Sequence, residues 1–171
     1  EIPSLSGEVN RISAYIKDRW SFGRRNWVQL GLKTNLTDDM NVYLQPRING
    51  AFRLSDNYTL SYGWGIYNQF ISKALIIDPD FGQNYFWKTN ASPVRSEHIV
   101  ISNGFRKKSI EIDVSGYYKT CSNFLSYTLF QDTLQESVGT AYSFGADVLI
   151  KKRIRSHFFS FGYSIGTVME E

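Results

Sequence analysis

Cysteine is all but missing from this sequence: Cys121 stands alone among 171 residues. That excludes an intrachain disulfide framework and any cysteine-clustered zinc site. Proline occurs only 4 times, too rarely for collagen or a Pro-rich linker. Charge of one sign is also scarce. The 19 Lys and Arg against 16 Asp and Glu leave +3, which argues against a nucleic-acid binder that works by neutralising phosphates. No apolar run approaches the roughly 20 residues that a membrane-spanning helix needs. The start lacks the Met, basic stretch and apolar core of a secretory precursor, so Glu1 reads as the first residue of a mature or excised segment. Aromatic residues, by contrast, are plentiful at 16%, within a hydrophobic share of 42%. A chain this apolar is not disordered, and its length suits one domain or a piece of a larger one.

Side chains alternate with period two along nearly every segment. Ile12, Ala14, Ile16 and Trp20 oppose Arg11, Ser13, Lys17 and Arg19. Val28, Leu30, Leu32 and Leu36 oppose Gln29, Lys33 and Asn35. Val42, Leu44, Ile48, Phe52 and Leu54 stand against Gln45, Arg47, Asn49 and Arg53. Tyr58, Leu60, Tyr62, Trp64, Ile66 and Phe70 oppose Thr59, Ser61, Gly63, Gly65 and Gln69. Similar runs fall at 97–106 and 109–121, and the last two carry Phe144, Ala146, Val148, Ile150, then Phe159, Phe161, Tyr163, Ile165. A helix would smear these sets around its circumference. The reading is all-β: an antiparallel up-and-down meander of about eight strands, closed or nearly closed into a barrel. Most strands span about ten to fourteen residues, against five or six in ordinary globular sheets. Such lengths suit a tilted strand that crosses hydrocarbon.

The connections alternate as well. Tight turns are expected at 23–26, 55–57, 106–108 and 155–156, and longer loops at 37–41, 71–96 and 122–141. Outer-membrane barrels have this asymmetry, though soluble up-and-down barrels can share it. Basic residues gather beside the tight turns: Arg24 and Arg25; Arg106, Lys107 and Lys108; Lys151, Lys152, Arg153 and Arg155. Acidic residues sit in the longer loops, at Asp38, Asp39, Asp78, Asp80, Asp132 and Glu136. The basic rim is either a solubility device or a surface for anionic headgroups on one leaflet. Trp20, Phe22, Phe52, Tyr58 and Phe105 cluster near the same end, as an interfacial girdle or simply as strand-favouring residues.

Several segments then resemble the barrel of a TonB-dependent outer-membrane receptor. Tyr15-Ile16-Lys17-Asp18-Arg19-Trp20 is similar to that family's Tyr-x-x-Asp-x-Trp strand, and Leu30-Gly31-Leu32-Lys33 to the strand after it. Pro46-Arg47, a strand, the turn Ser55-Asp56-Asn57 and Tyr58-Thr59-Leu60-Ser61-Tyr62-Gly63 form the most specific match. Gly116-Tyr117-Tyr118-Lys119 with Ser122-Asn123-Phe124-Leu125, and Tyr142-Ser143-Phe144-Gly145-Ala146-Asp147, continue the series. Pro93-Val94-Arg95-Ser96-Glu97 departs from the family's Pro-Glu. No plug or transducer box is visible, and the chain ends Val168-Met169-Glu170-Glu171 rather than on an aromatic residue. Residues 1–171 therefore read as a single wall segment of a larger receptor barrel. The resemblance implies nutrient uptake at the cell outer membrane. It also implies a shell of outer-membrane lipid, a small nutrient ligand, and a periplasmic energy transducer reached through a plug outside these residues. Its cut edges invite self-association. In water, such a segment is expected to curl with its apolar face inward.

Nothing in the sequence calls for catalysis, a cofactor or a metal. His98 and His157 lie on separate strands, no Gly-x-Ser-x-Gly elbow occurs, and Asp80-Phe81-Gly82 lacks every companion motif of a kinase. Residues 78–84 offer oxygen atoms at alternate positions, a calcium-like pattern without its bidentate Glu, and a Pro/Gly turn explains them as well. What remains is binding. The stretch 71–96, about 26 residues, is long for a mere connector. Tyr67 and Gln69 on the polar face, with Asp78, Asp80, Tyr85 and Trp87 above them, are the candidate ligand contacts. The loop aromatics could equally pin the loop to the rim. The alternative to a receptor is a soluble, lipocalin-like barrel that holds an apolar molecule.

Overall fold

In the computed structural model the alternating runs become eight strands: β1 (Arg11–Phe22), β2 (Asn26–Thr37), β3 (Val42–Arg53), β4 (Tyr58–Asp78), β5 (Gly82–Lys107), β6 (Ile110–Phe130), β7 (Thr133–Ile154) and β8 (His157–Glu170). The structure describes the backbone of residues 10–23, 25–78, 82–130 and 133–171, and the side chains of these except 73–91 and 124–137. The strands form one antiparallel sheet in the order β1 to β8, each beside its neighbours in sequence. β1 and β8 are its two edges and do not pair with each other, so the sheet is not closed.

Register fixes the faces. One ladder row runs Asp18–Leu30–Ile48–Trp64–Ile99–Tyr118–Phe144–Thr167 across all eight strands. The adjacent row, on the opposite face, runs Arg19–Gln29–Asn49–Gly63–Val100–Tyr117–Gly145–Gly166. The polar face is concave. Arg11 of β1 reaches the Phe70 ring of β4 at 5.1 Å, across two intervening strands, and Asn35 and Gln45 are buried there. The apolar face is convex and bare, with Ile12 74%, Ile16 71% and Phe161 61% exposed. Leu60 and Trp64 on that face are half-buried.

This reverses the expected inward curl of the apolar face. Long polar side chains such as Arg11 and Arg47 lie over aromatic rings on the inside. Burial there is achieved by stems and rings, leaving the aliphatic surface outside.

The sheet is staggered. The first short hairpin closes at Phe22 opposite Asn26, and Trp27 opposite Ala51 sets Asn26 level with Phe52. The second hairpin closes two residues further, where Leu54 N–H donates to the Tyr58 carbonyl. The Tyr58 row holds Phe105, and the third hairpin closes two beyond it at Lys107 opposite Ile110. The fourth repeats the step, from Lys152 in that row to Ile154 opposite His157. Two residues per hairpin is about one residue, roughly 3.3 Å, per inter-strand step of about 4.8 Å, a strand tilt of roughly 35°. Closed barrels fall in this range.

Two expected loops are strands instead. β4 and β5 stay paired from Ile71 opposite Thr89 to Asp78 opposite Gly82. β6 and β7 stay paired from Phe124 opposite Gly139 to Phe130 opposite Thr133. β-branched and aromatic residues such as Ile76, Ile77, Tyr85 and Tyr127 favour the extended backbone, and mutual pairing satisfies its N–H and C=O groups. The 37–41 connection is a short turn, closed by Met40 N–H donating to Thr37.

Candidate functional site

The sequence-derived site residues fall into two groups. Tyr67 and Gln69 lie on the concave face of β4, opposite Ser96 and Val94. Asp78, Tyr85 and Trp87 belong to the extended arms of the β4–β5 hairpin, opposite Gly82, Leu75 and Lys73. Their side chains, and Asp80 altogether, lie outside the described residues, as do most of the calcium-like stretch and Asp80-Phe81. From Tyr67 to Asp78 the strand rises about 35 Å. Along the described backbone, Tyr67 and Gln69 stand at the base of the hairpin, Trp87 and Tyr85 part-way along its arm, and Asp78 at the last described pair.

The base group holds more than the sequence reading singled out. The Arg47 guanidinium carbon lies 4.5 Å from the Tyr67 ring centre, and the His98 ring 4.8 Å from it. Arg47 also donates to Gln45 Oε1 at 3.4 Å. Gln69 Nε2 donates to the Ile71 carbonyl at 2.9 Å. A register shift between Gln69 and Ile71 turns Phe70 from the apolar face, where strict alternation puts it, to the concave side. There it meets the Tyr43 ring edge-on at 5.2 Å and is 6% exposed. Bulges re-aim side chains in this way.

Cation–ring contacts recur nearby. The Arg19 guanidinium carbon sits 4.2 Å from the Trp27 ring centre, and each such contact is worth about 0.5–1 kcal/mol at an exposed site. Beside them a hollow of about 430 Å³ is lined by Trp27, Gln29, Asn49, Tyr67 and His98, among others.

Polar atoms are left without partners on this face. Asn35 is completely buried, its Oδ1 accepting from Ser13 Oγ at 2.7 Å. Its Nδ2, Arg47 Nε and His98 Nε2 are buried with no hydrogen-bond partner among the described residues. Buried polar atoms are normally satisfied, so the concave face suits polar matter. Arg47, Asn35 and His98 could be read from the alternation as polar-face residues, but only register shows that Arg47 and His98 flank Gly65 beside Tyr67.

No group of three His, Cys, Asp or Glu able to hold a metal ion occurs among the described residues. Cys121, half-buried and unbridged, has its Sγ 3.0 Å from Ser96 Oγ, a hydrogen bond across the β5–β6 ladder. At the short-turn rim Arg106 meets Glu111 at 2.9 Å and Asp113 at 3.4 Å, and Lys151 meets Glu111 at 3.6 Å.

No protein-family profile and no curated protein matches this sequence. Among solved structures, the chain superposes on the siderophore receptor PirA from Pseudomonas aeruginosa with a TM-score of 0.74 and 14% identity, over 95% of this chain. It spans 34% of that receptor's chain. At this identity the likeness is one of fold. The class so defined is a run of antiparallel wall strands like those of a large β-barrel.

Proposed function

We propose that the chain is a wall segment of an outer-membrane uptake receptor, with its convex face toward lipid and its concave face toward a lumen. The observation that carries this reading is the two-faced, evenly staggered sheet, apolar outside and polar inside. A soluble carrier of apolar cargo needs the opposite arrangement. On β5 the convex face runs from Lys107 to Glu97 through Phe105, Asn103, Ile101 and Ile99, about 27 Å after correction for a 35° tilt. The apolar band of such barrels is about 25 Å tall. Glu97 at its far end accepts from Trp64 Nε1 at 2.7 Å. Asp18, on the edge strand β1, is the charged residue within the band among the described residues.

In this reading the long β4–β5 and β6–β7 hairpins rise on the outer side and meet the nutrient. Asp78, Asp80 and Tyr85 act toward the tip, Trp87 lower on the arm, and Tyr67 and Gln69 where the lumen begins. The unpartnered polar atoms of Asn35, Arg47 and His98 suit a polar plug in that lumen, through which a periplasmic transducer would supply energy. A ferric siderophore is the first cargo to try, by analogy with the structural neighbour.

The test is fractionation and uptake with the full polypeptide that carries these strands. It is expected in the outer membrane. Replacing residues 72–88 by Asn-Gly, a two-residue turn between Ile71 and Thr89, should leave it there but abolish ferric-siderophore uptake. Recovery in the soluble fraction would contradict the reading.

A further inference from the structure

Charges at the short-turn rim are sorted by face. On the concave side Arg106 and Lys151 are bonded to Glu111 and Asp113. On the convex side one ladder row reads Lys107–Ile110–Lys152–Phe159 across β5 to β8. Its two lysines are exposed, and no carboxylate pairs with either among the described residues. They stand two strands apart, roughly 9–10 Å between backbones, a gap that two flexible four-carbon stems can close on a single anion. The next row inward is wholly apolar: Tyr58–Phe105–Ile112–Ile150–Phe161.

The turns add to the pattern. Lys107 and Ile110 are joined by Lys108-Ser109, Ile154 and His157 by Arg155-Ser156. Lys108 and Arg155 each take φ 53°, a conformation that suits Gly or Asn better than a long cation. Both turns therefore carry a cation where backbone preference would not choose one.

We propose that Lys107 and Lys152, supported by Lys108 and Arg155, bind the phosphodiester headgroup of an anionic glycerophospholipid in the leaflet at the short-turn rim. Its acyl chains would lie along Phe105, Ile112, Ile150 and Phe161. Three features select a lipid over free phosphate. Lys107 and Lys152 have no carboxylate partner among the described residues, they border the apolar band, and their row is completed by Ile110 and Phe159 rather than by polar groups.

This inference rests on the wall reading, and its test separates the two. The full polypeptide carrying these strands is refolded into vesicles of phosphatidylcholine, alone or with phosphatidylglycerol, and retained lipid is identified by native mass spectrometry. The expected result is preferential retention of phosphatidylglycerol, resistant to excess inorganic phosphate. Each lysine near an anionic surface contributes roughly five-fold in affinity, so K107Q/K152Q should lower the preference about 30-fold. K17Q/K151Q, an equal charge change on the concave face, should leave it intact, and K107R/K152R should restore it. Insertion without any phosphatidylglycerol preference, equal losses in the two glutamine variants, or displacement by inorganic phosphate would overturn the site alone. Failure to insert into every vesicle would overturn the wall reading and the site with it.

Discussion

Tyr117 lies on the concave side across two strands, over Gly145 and Gly166, which face each other in the β7–β8 ladder. A methyl group on Gly166 would come 2.5 Å from Tyr117 Oη, with its next neighbour, the Phe144 carbonyl, at 3.4 Å. A methyl on Gly145 would also come 2.5 Å from the Ile165 carbonyl, which cannot swing away. Aromatic rings laid over strand glycines cover exposed backbone and fix register, and Tyr15 over Gly31 and Tyr62 over Gly50 repeat the device. Both Gly166→Ala and Gly145→Ala are expected to destabilise by about 1–3 kcal/mol, the usual cost of overpacking. Tyr117→Phe should relieve the first and not the second. Urea unfolding in micelles, run as a double-mutant cycle, checks this; equal relief of both would show that Tyr117 does not sit as described.

At the scale of elements, the proposed meeting with a ligand falls on the long hairpins. The arms of β4 and β5 beyond the bulge are paired over eight positions, roughly 25 Å of ladder. Their amides should therefore be protected in hydrogen exchange on the bilayer-inserted protein. Exchange across 71–78 and 82–89 at unstructured-chain rates would restore the loop reading. The strands β1 to β3 and β8 were legible because half-buried sheets force strict alternation, as in Ile12, Ala14, Ile16 against Arg11, Ser13, Lys17. The arms were not. Ile76 and Ile77 are adjacent apolar residues, and the acids and Gly82 at the tip resemble turn chemistry, while cross-strand pairing that overrides such signals is non-local. The same limit hid the base site. Arg47 and His98 sit 51 residues apart in sequence, and only the ladders through Gly65 bring them beside Tyr67. Phe70 was misplaced because a bulge leaves no mark in a period-two pattern.

For the whole molecule, the governing fact is a sheet whose outside is greasier than its inside. Leu30, Leu32, Ile101, Phe161 and Ile165 are all at least 40% exposed on one convex surface, and each such side chain kept from water gains about 1.5–3 kcal/mol. A continuous apolar surface of this kind marks a contact with lipid or protein. Charge on it should be costly in proportion to depth. Ile101→Arg, near the middle of the band, is expected to cost about 2–4 kcal/mol of bilayer stability, whereas Ser102→Arg, one step along and facing inward, should cost little. Denaturant titration of folding into vesicles reads the difference.

The most direct test labels the two faces. In a Cys121→Ser background, single cysteines are placed at convex positions Ile16, Leu32, Ile101 and Val148, and at concave positions Ser13, Lys33, Ser102 and Asp147. The protein is inserted in vesicles and exposed either to a membrane-soluble thiol probe or to a water-soluble maleimide. The convex set should react with the first and the concave set with the second, in strict alternation along each strand. Maleimide labelling of the convex set, or no difference between the sets, would contradict the account.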